Sequence, residues 1–565
     1  MRFSHIWRVG DLAHSLSIAF SKVNQTSWLA ARSRLPRRFS GSSLVLWGIA
    51  ALVGAALLLP PFYLLVRAGE IDQPVAQLLL RPRILATLAR TLGLAASVTA
   101  LSMLIAVPLG WLTVRSDVPL RRWWDLLAPL PLVIPSYVGA YLFVSAFGPR
   151  GLLQQLLESW FGVERLPSIY GFPGALLTLT SLSYPYLLLA VRGTLLRLDP
   201  AQEEAARSLG DSPWQTFRRV TLPLLRPALG AGGLLVALYC LRDFGAVALM
   251  RYDTFTRVIY VQYNSFDRSQ AALLALVLVA ITLALLWFEA RLQQRARYFR
   301  GATGAVRLPT ITPLGRWRWP AFAFCALVVL VSLALPALIL LYWLARGLLA
   351  GEVIPELGRA AWNSIWASGL AAFFTTVAAL PVVWLAVRKA SRLTRLLERL
   401  TYSAFALPGI VIALALVFFG INHARWLYQT LAMLVLAYGI LFVPQAVGTI
   451  RASLLQIHPS LEEAALSLGR RPGYVWLTVT LPLLRPGLLS GAGMVFLTAM
   501  KELPATLLLS PLGFKTLAVA VWSSVSEAFF AAAAAPALAI MLLSSLPMAF
   551  LLWYEQTHDR NHSAM

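Results

Sequence analysis

Two stretches hold the densest polar chemistry of this sequence: EEAARSLGDSPWQTFRRVTLPLLRP from Glu203 to Pro227, and EEAALSLGRRPGYVWLTVTLPLLRP from Glu462 to Pro486. Each opens on two carboxylates, Glu203-Glu204 and Glu462-Glu463. Each continues through an alanine pair, Ala205-Ala206 and Ala464-Ala465, to a glycine, Gly210 and Gly469. The local pattern predicts helix, break, helix. Asp199 can cap, Pro200 suits a first turn, and Gln202 stands at capping-box spacing. Gly210 is a C-terminal stop, and Ser212-Pro213 can begin a second helix. Pro459, Gly469 and Pro472 repeat this. Glu203 and Arg207 stand at i, i+4, the spacing of a helical ion pair. The alanines leave a flat face that another protein can approach closely.

A second set of charges lies in apolar surroundings. Arg242-Asp243 and Lys501-Glu502 are equivalent at an offset of 259 and fall in the middle of predicted spans. A charge at the centre of a membrane helix costs roughly 2.5–3.5 kcal/mol on insertion scales, so it calls for a role. These residues either line a solute path or form an ion pair that locks two parts of the molecule. Tyr184, Tyr186 and Tyr239, with Asp243 and Glu502, offer oxygen to a hard cation, although tyrosine in a span more often packs or sits at the interface. Arg242 and Lys501 repel a bare cation at short range. No tight metal site is expected, and no catalytic constellation of nucleophile, base or metal ligands is visible.

Composition fixes the class. The chain has 565 residues, 59% of them hydrophobic, with a mean hydropathy of +0.71. Long apolar runs recur throughout, which predicts an all-α, polytopic integral membrane protein in contact with lipid. The net charge of +24 is that of Lys and Arg gathered in loops. No basic face with interleaved aromatics stands apart from the spans, so nucleic acid is not an expected partner. The two cysteines, Cys240 and Cys325, lie inside apolar runs and predict neither a disulfide framework nor a thiolate site. The six histidines show no metal-ligand spacing.

About twelve spans are predicted, roughly 43–67, 86–114, 124–147, 172–191, 228–250, 270–289, 319–345, 362–387, 401–420, 426–448, 487–509 and 531–554. Basic loops follow the second, sixth and eighth. With both polar phrases and both tails they hold about 33 of the 48 Lys and Arg. The positive-inside rule puts those loops and both termini in the cytoplasm.

The chain is a tandem duplication. From Asp199 to Pro227 against His458 to Pro486, 17 of 29 positions are identical. Upstream the offset is 273: Arg90-Thr91 aligns with Asn363-Ser364, Pro108 with Pro381, Arg115 with Arg388, and Ile134-Pro135 with Leu407-Pro408. The 14-residue difference falls in the loop 148–171, which is short in the second copy. The expected organisation is a basic leader 1–42, a six-helix half 43–290 with its polar loop 199–227, a cytoplasmic linker 291–318, a second half 319–555 with its loop 458–486, and a tail 556–565. Two halves of like orientation imply a pseudo-two-fold axis along the membrane normal, with a solute path on it.

The polar phrase resembles the EAA loop of ATP-binding-cassette importer permeases. The pattern Glu204-Ala205-Ala206, Gly210, Val220-x-Leu222-Pro223 is matched at identical spacing by Glu463-Ala464-Ala465, Gly469, Val479-x-Leu481-Pro482. The resemblance implies a type I importer fold. It also implies that Glu203, Glu204, Ala205, Ala206, Gly210, Glu462, Glu463, Ala464, Ala465 and Gly469 couple the chain to two copies of a cytoplasmic ATPase. No GxxxxGK[ST] phosphate loop occurs, and there are only four lysines, so the chain is expected to bind no cofactor and to leave ATP to its partners. The segments Arg242–Tyr263 and Lys501–Trp522, and the fused layout, resemble the ferric-iron permeases. That resemblance implies an extracytoplasmic binding protein and a bacterial inner-membrane location. On their charge and oxygen chemistry, Tyr184, Tyr239, Arg242, Asp243, Lys501 and Glu502 are the candidates for lining a path. Thiamine, phosphonate and polyamine permeases are the neighbouring alternatives. A gradient-driven secondary transporter and an intramembrane enzyme are remoter ones.

Overall fold

The computed structural model describes residues 41–71, 74–265, 267–295, 311–351, 356–389 and 391–545. The leader up to residue 40, most of the linker, the end of the twelfth predicted span and the tail lie outside the described residues. The first half contains α1 (Gly41–Ala68), α2 (Pro82–Arg115), α3 (Arg121–Leu127), α4 (Ser136–Phe147), α5 (Phe172–Arg197), α6 (Pro200–Ser208), α7 (Leu222–Arg242), α8 (Gly245–Leu249), α9 (Phe255–Asn264) and α10 (Arg268–Arg295). The second half repeats the order. Its first span is α11 (Arg318–Val329) and α12 (Leu335–Leu349), joined by a π turn. Then come α13 (Leu357–Arg388), α14 (Arg392–Ser403), α15 (Gly409–His423), α16 (Leu431–Gln456), α17 (Pro459–Ser467), α18 (Leu481–Met500), α19 (Pro504–Leu509), α20 (Leu517–Ser526) and α21 (Phe530–Ser545).

Among the described residues, nine helices are long and apolar enough to cross a membrane, and a tenth if one bent pair counts as a span. All twelve predicted positions hold an apolar helix, but the third, ninth and twelfth hold no single helix of membrane length within the described residues. The third predicted span, 124–147, is bent by 101°. The cause is local. Ile134 precedes a proline and is extended, with φ −77° and ψ 120°, and Pro135 continues extended at ψ 147°. Leu407-Pro408 repeats the break, so the ninth span, predicted at 401–420, is the short α15, preceded by the amphipathic α14. Of the twelfth, Phe530–Ser545 is described.

In each half the second, fourth and fifth spans pack on one another: α2 with α5 and α7, α13 with α16 and α18. The first span of each half packs against the other half. Leu57, Tyr63 and Leu64 of α1 share a core with Ala371, Val411 and Leu414. Cys325 and Val329 of α11 are buried among first-half residues such as Ala106 and Tyr184. A third core closes the seam between the halves, where Phe244 meets Trp522 at 5.3 Å and Tyr141 stacks on Phe530 at 6.0 Å between ring centroids.

Candidate functional site: two polar loops and two charged breaks

The helix-break-helix geometry holds in both polar loops. The Asp199 carboxylate accepts from Ala201 N at 3.0 Å, Pro200 occupies the first turn of α6, and α6 ends before Gly210 at φ +95°. In the second loop His458 Nδ1 accepts from Ser460 N at 3.3 Å, and Gly469 takes φ +78°. Gln202 completes no capping box, because Asp199 engages the second residue of the helix instead. The box forms one helix later, where Ser212 N donates to Gln215 Oε1 at 2.8 Å and Gln215 N to Ser212 Oγ at 3.3 Å.

The two carboxylates of each phrase face opposite ways. Glu204 and Glu463 are exposed, with Ala205 and Ala464 beside them, and Ala206 and Ala465 are half-buried. Glu203 is buried and does not pair with Arg207. Its side chain turns into the bundle, where Arg115 Nη1 lies 3.9 Å from Oε2 and Thr221 Oγ1 donates to Oε1 at 2.8 Å. Arg207 points outward and donates to Thr312 Oγ1 at 3.3 Å. The second half matches: Arg388 Nη2 donates to Glu462 Oε1 at 3.1 Å, and Thr480 Oγ1 to the same oxygen at 3.3 Å. Arg115 and Arg388 also donate to the end of the preceding span, at Leu198 O and Ile457 O, each 3.0 Å. Sequence reasoning missed these arginines and threonines, although Arg115 and Arg388 are equivalent at offset 273, and Thr221 and Thr480 at 259. It also missed Leu209 and Leu468, which stand 88% and 81% exposed beside the glycines.

The charged pairs do not lie mid-helix as expected. Each sits at a break where its span ends and a short helix begins. Asp243 is extended, at ψ 133°, and its carboxylate accepts from Ala246 N at 2.9 Å and Val247 N at 3.3 Å. Glu502 Oε1 accepts from Ala505 N at 3.4 Å. An acidic side chain that satisfies the first N–H groups of a new helix makes the break affordable in an apolar setting. Threonine hydroxyls close both: Thr256 donates to Asp243 O and Thr506 to Glu502 O, each at 2.6 Å.

The breaks meet across the seam. Lys501 Nζ donates to Leu132 O of the first half at 3.0 Å. Arg242 lies within Coulombic reach of Glu502, without closing to an ion pair among the described residues. The Tyr239 ring, one helical turn before Asp243, is 5.5 Å from that of Tyr186. Tyr184 is placed apart from them, in the first-half core, donating to Ala128 O at 2.8 Å with Ser332 Oγ at 3.2 Å. Among the described residues no three His, Cys, Asp or Glu side chains are grouped to hold a metal ion.

Twin helical halves with matched polar loops, packed about a common seam, are the frame of a membrane transport permease. The chain belongs to the family described as binding-protein-dependent transport system inner membrane component, which matches residues 99–298 and 381–558, one segment in each half. It is 37% identical to the Fe(3+)-transport system permease protein FbpB 2 of Haemophilus influenzae, over 89% of this chain and 97% of that one. It is 26% identical to the probable ABC transporter permease protein y4fN of Sinorhizobium fredii, over 94% and 98%. The sulfate transport system permease protein CysT of Escherichia coli is 28% identical, and 95% of its length covers only 45% of this chain. That ratio fits a relative of about half this length. The chain is thus a multi-pass membrane permease of a class that works with an ATPase and a substrate-binding protein.

Proposed function

We propose that this chain is the membrane subunit of an ATP-driven importer for ferric iron in the bacterial inner membrane. The observation that carries this reading is the likeness to an Fe(3+)-transport permease along nearly the whole of both chains. The polar loops, both termini and the basic linker face the cytoplasm, as the distribution of Lys and Arg indicates. Each loop seats one ATPase, so one chain takes two. Glu204, Glu463, Leu209 and Leu468 offer the contact face, carboxylate beside exposed leucine. ATP is used by those partners, and this chain is a conduit with neither a catalytic centre nor a resident cofactor.

Selection of iron falls to the extracytoplasmic binding protein. In the path the opposed charges of Arg242, Asp243, Lys501 and Glu502 sum to zero, which suits brief passage over tight holding. In the conformation described here Phe244, Trp522, Tyr141 and Phe530 fill the seam, and transport requires them to part.

Proteoliposomes holding this chain with its ATPase, supplied with loaded binding protein, test the reading. Ferric iron is expected to accumulate only with ATP on the loop side. Uptake that persists without ATP and stops when ion gradients collapse would replace the importer with a secondary transporter. ATP-dependent uptake of thiamine, a phosphonate or a polyamine in place of iron would keep the class and overturn the substrate.

A further inference from the structure

We propose that Glu203 and Glu462 are positioning residues: with Arg115 and Thr221, and with Arg388 and Thr480, each forms a polar joint that carries movement of the coupling helix into the membrane bundle. The inference rests on the reading of the two loops as ATPase sockets, and it divides the loop's two carboxylates between two tasks. Glu204 and Glu463 face out. Glu203 is only 6% exposed and has no access to a docked protein.

Four elements converge on each joint. Arg115 is the last residue of α2. Its guanidinium holds Leu195 O at 3.2 Å and Leu198 O at 3.0 Å, where α5 ends, and faces Glu203 on α6. Glu203 in turn accepts from Thr221, at the entrance to α7. A push on α6 therefore reaches three packed spans through one carboxylate. The entrance to α7 is a π turn, Phe217–Thr221, and the second half has its π turn at Trp476–Thr480. Such turns cluster at functional positions, and here each ends on the threonine that meets the glutamate.

The duplication supplies an internal control. Within the phrases, Asp211-Ser212 has become Arg470-Arg471, Trp214-Gln215 has become Gly473-Tyr474, and Arg218-Arg219 has become Leu477-Thr478. The arginine, glutamate and threonine of the joint are unchanged. Apolar residues replace buried ion pairs with little loss of stability where only packing is at stake, so twofold retention of all three polar groups points to a task that packing does not meet. A neighbouring pair braces the same ends in both halves: Arg192 to Asp125 at 2.9 Å, tying α5 to α3, and Arg451 to Glu398 at 2.7 Å, tying α16 to α14.

The joints differ in enclosure. Thr312 N donates to Arg115 O at 2.8 Å, and Leu314 N to the Asp117 carboxylate at 2.8 Å, so the chain entering the second half lies over the first joint. The Arg115 and Glu203 side chains are 1% and 8% exposed, and those of Arg388 and Glu462 are 14% each. A reversed ion pair is therefore best tolerated in the second half.

The test compares solute moved per ATP hydrolysed by the reconstituted complex with loaded binding protein. Glu203→Gln with Glu462→Gln is expected to keep the ATPase bound through purification while solute moved per ATP falls at least tenfold. Thr221→Val with Thr480→Val keeps both charges and removes only the hydroxyl bonds, and is expected to lower the ratio in the same direction. It decides the matter if the glutamine variant fails to reach the membrane. Arg388→Glu with Glu462→Arg is expected to recover at least half of what either single change loses. An unaltered ratio in the glutamine or valine variants overturns the proposal. So does loss of the ATPase from the glutamine variant, which would put these carboxylates in the docking contact. A wild-type chain that retains no ATPase would end the socket reading and the joint with it.

Discussion

Gly210 and Gly469 show what single residues control here. Both adopt left-handed φ values, +95° and +78°, and a Cβ at either would meet nothing within 4 Å. The requirement is one of backbone handedness, worth about 1–2 kcal/mol for an ordinary residue. Asparagine tolerates that conformation and a β-branched residue does not. Gly210→Asn with Gly469→Asn is expected to support near-normal uptake, and the valine pair to lower it severalfold with faster proteolysis at the loops. Uptake assays and limited proteolysis of the purified complex check both. A second residue-scale expectation comes from the charged breaks. The first half has Ser136 beside Asp243, and the second has Gly409 against Glu502, whose carboxylate fills the space a Cβ would take. Gly409→Ser alone overpacks the break by about 1–3 kcal/mol. Adding Glu502→Asp recreates the first-half pair and is expected to recover most of that loss, read as non-additivity in a double-mutant cycle of detergent melting temperatures. The motif glycines were legible in the sequence because turn chemistry is local. The Glu203 partner was not, because helical spacing offered Arg207 nearby, and only the packing of α2 beside α6 brings in Arg115.

At the scale of elements, the short helix after each charged break is followed by a second helix, α9 or α20, whose start is held by the second span. Phe255 N donates to Thr91 Oγ1 at 3.1 Å, and Leu517 N to Ser364 Oγ at 2.8 Å. Thr91 and Ser364 are themselves equivalent in the duplication. Removing one acceptor leaves a buried N–H unpaired, at a cost of about 1–3 kcal/mol. Ser364→Ala is expected to lower the melting temperature of the purified chain, and Ser364→Thr to leave it near wild type. Hydropathy found every membrane-length helix but not the short apolar Leu517–Ser526 nor where helices bend, since an averaging window is blind to short elements and to backbone direction. The Ile134-Pro135 and Leu407-Pro408 pairs were visible and had served to align the halves. Read instead as extended dipeptides, they mark both breaks. Leu503-Pro504 gives a comparable mark just past the end of α18, but Phe244-Gly245 gives none after α7, because Arg242 looks alike in sequence whether it sits within a helix or closes one.

At the scale of the whole molecule, the exchange of first spans decides how the halves depend on each other. Tyr63 on α1 bonds His423 Nδ1 at 3.0 Å in the second half, and Trp124 on α3 meets Phe322 on α11 at 5.4 Å between ring centroids. Each half buries its neighbour's first helix, so neither has a complete apolar core alone. The covalent link contributes less: the contacts of Thr312 and Leu314 with the first half belong to the segment just before α11 and need no chain continuity through 301–310. Two polypeptides, 1–305 and 306–565, expressed together are therefore expected to assemble and to transport at no less than about half the intact rate. Either expressed alone is expected to be degraded or to aggregate, since an unburied helix face in the bilayer lacks the close packing that holds membrane helices together. Co-purification through a tag on one piece measures the assembly. If the pieces fail to associate although both reach the membrane, the linker holds the halves together and the exchanged helices do not. In that event a single ATPase stroke on one loop would reach the other half through the chain segment over Arg115, and solute moved per ATP would fall when that segment alone is altered, as in Thr312→Pro, which removes the N–H that Arg115 O accepts.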